Sequence, residues 1–209
     1  MKILRNAIIG LLFILFVVSC KESVRKKFEF IGLEFGVKLN HKIIEGPRDP
    51  PVFHPELTEC YEIQFENFEF DTVLVALTKN EISNDTKSKF NQEGVIWAAF
   101  FFSKAKKGER EMFNKSDFNR IVKFIESKYG AIMFNEKKSE SDSGLIISAT
   151  LRASNVFFQL EVNDYGSFSE KKVVIKNFDV LRECGNEAFK TEVDESLNNI
   201  SDIQKRRIY

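Results

Sequence analysis

Residues 95–102 read VIWAAFFF, an unbroken apolar run of eight with polar segments on either side. A strand with one wet face would alternate apolar and polar residues, and this stretch never does. Its length and its aromatic bulk fit a central strand covered on both faces. The rest of the chain must therefore supply neighbours along both strand edges and cover above and below. Phenylalanine is abundant enough to do so, with 22 Phe against one Trp and four Tyr in 209 residues. Phe has no polar tip, so it suits core packing better than sugar stacking or a wet interface.

Shorter segments fall into place around that strand. FEFIGLEFG (28–36) alternates at Phe28 and Phe30, then changes phase at Gly32 so that Leu33 and Phe35 share a parity, which marks a bulge or a turn. All four prolines lie in EGPRDPPVFHPE (45–56), expected to be an extended, non-helical loop. YEIQFENFEF (61–70) reads as a strand with a bulge or tight turn after Asn67. Residues 73–77 read as another strand, NEISNDTKSK (80–89) as a loop, and KAKKGER (104–110) as a basic turn.

Helical periodicity appears twice. In NKSDFNRIVKFIESKYG (114–130), Phe118, Ile121, Val122, Ile125 and Tyr129 form one stripe, with Asn114 or Ser116 as the N-cap and Gly130 at the C-terminal cap. Residues 187–205 place Phe189, Val193, Leu197, Ile200 and Ile203 on one face. Between the two helices NEKKSESDSG (135–144) reads as a loop. LIISATL and VFFQLEV, joined by RASN, read as a hairpin, and VVIKNF as a further strand. The expected fold class is α+β: a mainly antiparallel sheet with a central helix and a C-terminal helix packed on one face, forming a single domain over residues 28–209.

The first twenty residues, MKILRNAIIGLLFILFVVSC, carry a different message. Lys2 and Arg5 precede an apolar stretch of twelve residues (7–18), too short to cross a hydrocarbon core that needs about 20. A charged start, a short apolar centre and a small residue before the cleavage point mark residues 1–19 as a secretory signal. The run Val17-Val18-Ser19-Cys20 resembles the lipobox of bacterial lipoproteins. That resemblance implies a diacylglyceryl group on the Cys20 sulfur, cleavage before Cys20 and acylation of the new amino terminus, so that several acyl chains hold the protein where one would not. Lys21 at the second mature position, rather than Asp, points by the family's sorting rule to the outer membrane. Residues 20–27 then form a lipidated tether, whose basic run (Lys21, Arg25, Lys26, Lys27) either meets anionic headgroups or is simply solvated.

Gly32, Phe35, Gly36, Tyr129 and Gly130 form a second, looser pattern, similar to small exported bacterial proteins of unknown role. It implies no activity and lends no catalytic residue.

Catalytic grammar is sparse. The chain holds no G-x-S-x-G, H-E-x-x-H, phosphate loop, G-x-G-x-x-G or C-x-x-C. His41, His54 and Cys60 match no metal-ligand spacing, and no metal or cofactor is expected. Glu62, Glu66 and Glu69 alternate with aromatics as on the solvent face of a strand. Lys104, Lys106, Lys107 and Arg110 are either a solvated turn or a patch for lipid phosphates or an acidic partner. The 31 basic and 31 acidic residues balance, which argues against nucleic acid. With Cys20 committed to lipid, Cys60 and Cys184 remain, either bridged in a compartment beyond the reducing cytosol or buried as thiols.

The expected function is a lipid-anchored envelope protein that touches the membrane through Cys20 and acts as a non-enzymatic binding module for a protein or ligand there. A narrower version is an inhibitor or immunity protein. The alternative is an envelope hydrolase using a pair of carboxylates.

Overall fold

The computed structural model describes residues 28–48, 58–66, 69–79, 91–109, 111–141 and 144–207. The signal segment, Cys20, the tether, His54 and the loop at 80–89 lie outside the described residues.

In chain order the elements are β1 (Phe28–Phe30), β2 (Leu33–Phe35), β3 (Ile43–Arg48), β4 (Thr58–Ile63), β5 (Thr72–Thr78), β6 (Ile96–Lys106), α1 (Lys115–Tyr129), β7 (Ile132–Ser141), β8 (Gly144–Ala153), β9 (Val156–Asp164), β10 (Phe168–Asn177), α2 (Phe178–Cys184) and α3 (Glu187–Arg207). Among the described residues, eight strands form one antiparallel sheet in the order β3-β4-β5-β6-β10-β9-β8-β7. The apolar run thus sits at the middle of the sheet. Trp97, Ala99 and Phe101 face one side and Ile96, Ala98 and Phe100 the other, and all six are buried.

Each face has its own cover. Phe158 of β9 lies under the β1–β2 hairpin and α1, with its ring 5.9 Å from Phe28 and 5.3 Å from Tyr129. Its neighbour Phe157 points the opposite way and meets Phe178 of α2 at 5.3 Å. α1 and the short helix α2, which follows β10 directly, therefore lie against opposite faces of the sheet.

Local chemistry explains the element ends. Asn114 caps α1 by accepting from the Ser116 amide (2.7 Å), while Asp117 accepts from the Asn114 amide (3.0 Å), a reciprocal capping box. The phase change at Gly32 is a turn, since Ile31 and Gly32 both adopt positive φ (45° and 97°) and form a two-residue hairpin loop. Tyr129 then latches this hairpin by donating its hydroxyl to the Glu29 carbonyl oxygen at 2.8 Å. Burial, together with the nearby Glu29 carboxylate, pushes the Tyr129 hydroxyl pKa up to about 12. The glycines and tyrosine of the looser sequence pattern thus have a structural role.

Several expectations need correction. The first part of the proline loop is edge strand β3, where Pro47 is tolerated because an edge strand need not pair on both sides. The strand expected at residue 61 begins at Thr58 and ends at Ile63. Lys104 to Lys106 of the basic turn continue β6. The loop at 135–144 is mostly β7, which among the described residues has only β8 beside it. Its entry into β8 depends on Gly144, where a Cβ would overlap the carbonyl oxygen of Asp164.

Candidate functional site

The burial of β6 shows where the sheet is uncovered. Every residue from Ile96 to Phe101 is buried, but Phe102 is half-buried, Ser103 buried, Lys104 exposed, Ala105 buried and Lys106 exposed. Past Phe100 the α2 side of the sheet has lost its cover. Cross-strand register places Thr72 and Lys172 beside Phe102, Glu170 beside Lys104, Glu161 beside Lys172 and Asn163 beside Glu170. These residues, with Asp71, line a groove of about 490 Å³, within the range of small-ligand sites.

One end of the groove is fastened. Lys104 pairs with Glu170 at 3.3 Å and sets its ammonium 4.2 Å from the centre of the Phe168 ring. Asp71 accepts from the Ser103 hydroxyl (2.8 Å) and the Lys104 amide (3.1 Å). The Asn163 amide nitrogen donates to Glu161 at 2.7 Å, which leaves its oxygen as an acceptor. That oxygen is buried and meets no donor among the described residues, although Asn163 is only 8% exposed. A buried acceptor of this kind costs about 1–3 kcal/mol until something donates to it.

The other end is cationic. Lys172 lies 5.7 Å from the Phe102 ring centre and makes no ion pair among the described residues. Lys176, further along the same face and outside the groove, has its pKa pushed down by burial and by repulsion from Lys172. An anionic group placed in the groove against Lys172 would relieve that repulsion. The groove can therefore hold a ligand that donates to Asn163 and carries negative charge toward Lys172.

A second charged cluster lies on the opposite face. The Lys171 side chain is 3% exposed, with its ammonium 4.6 and 4.7 Å from the Phe70 and Phe113 ring centres and 3.5 Å from Glu69. Arg120 of α1 binds Glu69 with a 2.6 Å contact. This is a clamp that fixes the start of α1 to β10.

The residues singled out from the sequence are scattered. The ring of His41 lies 5.5 Å from that of Phe65. Cys60 lies on β4, and Cys184 closes α2 instead of merely following the last strand. A bridge between them is not formed in the structure: both are buried thiols, with the Cys184 sulfur 4.0 Å from the Gln92 side-chain oxygen. Alkylation without reductant should leave both unreacted in the folded chain and modify both after unfolding. Intact mass reads the count. Glu69 is clamped by two cations, where the sequence suggests a solvated strand face. Asn163, Glu161 and Lys172 escape sequence reasoning altogether. Their one signal is the alternation Glu170, Lys172, Val174, Lys176, which puts charged residues on one face of a strand whose centre is apolar. Comparison with protein-family models, with curated proteins and with solved structures finds no match to this chain.

Proposed function

We propose that the protein is a lipid-anchored, non-enzymatic binding module of the bacterial envelope, held by the acylated Cys20 at the outer membrane, and that it takes its ligand or protein partner in the groove on the open sheet face. The observation that supports this reading is the groove itself, where a buried Asn163 oxygen meets no donor and Lys172 makes no ion pair among the described residues. Its carboxylates are occupied, Glu170 by Lys104 and Glu161 by Asn163, which favours binding over acid–base chemistry. An inhibitor or immunity protein is the narrower form of this reading.

Two experiments test it. Cys20→Ala should abolish metabolic labelling with palmitate and release any cleaved protein from the membrane fraction. Continued labelling would sink the anchor. Crosslinked envelopes probed with the tagged chain should yield a partner that Lys172→Glu and Asn163→Ala both lose. Equal capture by wild type and both variants would remove the groove from the proposal.

A further inference from the structure

The exposed side of α1 is opposite the groove. Phe118, Ile121, Val122 and Ile125 are buried, so Arg120, Lys123, Phe124, Ser127 and Lys128 point outward. Phe124 is 36% exposed, its ring 6.0 Å from Phe30 and 5.4 Å from the Lys128 ammonium. Arg120 is engaged with Glu69, and Glu126 is the exposed acid of the segment. Lys123 and Lys128 make no ion pair among the described residues. An aromatic ring flanked by lysines matches the polar–apolar boundary of a bilayer, with the ring at the acyl margin and the ammonium groups at the headgroups.

The first described residue of the chain lies beside the end of this helix. Phe28 opens β1 with its ring 5.2 Å from Tyr129, the last residue of α1. Seven residues separate Cys20 from Phe28, and the eight steps between them reach about 28 Å at full extension. Four of the seven are basic, so the tether carries the same sign of charge as Lys123 and Lys128.

We propose that the outward side of α1, centred on Lys123, Phe124 and Lys128, lies on an anionic phospholipid surface and fixes the domain with its groove turned away from the membrane. This rests on the lipid-anchor reading. Its geometric basis is that the helix covers the Phe158 side of the sheet, whereas Glu161, Asn163 and Lys172 lie on the Phe157 side.

Phe124→Trp in the full, lipid-modified chain gives a direct probe, because the native Trp97 is fully buried and supplies a constant background. The chain is reconstituted into vesicles of phosphatidylethanolamine with phosphatidylglycerol, and separately of phosphatidylcholine, each with brominated acyl chains. The expected result is blue-shifted emission from the introduced indole, quenched by the anionic vesicles, with the quenching lost in Lys123→Glu/Lys128→Glu. Bimane on Ser127→Cys repeats the measurement should the tryptophan variant fold poorly, since Cys60 and Cys184 are buried. A chain that floats with the vesicles while both probes stay unquenched overturns the docking face and leaves the anchor standing. A chain that does not float overturns the anchor, and the docking face with it.

Discussion

Replacing Phe101 by alanine is expected to destabilise the domain by about 3–5 kcal/mol, read as a lower denaturant midpoint at unchanged slope. The ring has no exposure and sits where three elements meet: Phe30 of the hairpin at 5.2 Å, Phe65 after β4 at 6.5 Å and Phe70 before β5 at 5.4 Å. Because those rings are held by other neighbours as well, they cannot all collapse into the space left behind. The cavity cost then adds to the lost transfer free energy. Phe102, one residue along and half-buried at the groove, should cost clearly less when truncated. Equal losses at the two positions would contradict the assignment of faces.

The second large effect is expected at Glu69. Glu69→Gln removes the carboxylate that holds the buried Lys171 ammonium and should cost about 2 kcal/mol, toward the lower part of the range for hydrogen bonds to charged groups because Glu69 is itself partly exposed. Arg120→Gln touches only the exposed arm of the clamp and should cost about 1 kcal/mol or less. The pH dependence has a definite sign. Burial acts to raise the Glu69 pKa, but the hydrogen bond from Arg120 and the charges of Lys171 and Arg120 outweigh it, leaving it below its ordinary 4.5. The unfolded state therefore binds more protons as pH falls below that ordinary value. The stability contributed by Glu69 is fully present above it and disappears as pH drops through the folded value. Unfolding curves of wild type and Glu69→Gln should converge in that acidic window. A difference that persists unchanged at the lowest pH would assign the loss to packing instead of charge.

The legible parts of the fold are those whose chemistry is concentrated in a few adjacent residues. β6 announces itself because all its early positions are apolar, and α1 because a stripe, a capping box and Gly130 agree with one another. β7 is hidden for the opposite reason. As an edge strand it has little apolar surface to bury, so its Lys, Glu and Ser residues resemble a loop until β8 is placed beside it. α2 spans seven residues, too few for a clear helical stripe, and its first residue, Phe178, reads as the end of the preceding strand. The groove is less legible still. Its lining comes from β5, β6, β9, β10 and the segment before β5, and each contributes a few polar residues that look solvated when taken alone. Only the register between strands gathers them.

That register also has a consequence for how the chain folds. In the eight-stranded sheet, all pairings but one join strands that follow each other in sequence; the exception is β6 with β10. Each half of the sheet can therefore close hairpin by hairpin, with small entropic penalties. The β6–β10 seam must wait for Phe101 and Val173 to meet across a long stretch of intervening chain. The folding barrier should be set at that seam, where Phe100, Phe101, Val173 and Val174 would form the nucleus. Substitutions there should slow refolding, while substitutions between β7 and β8 should chiefly hasten unfolding.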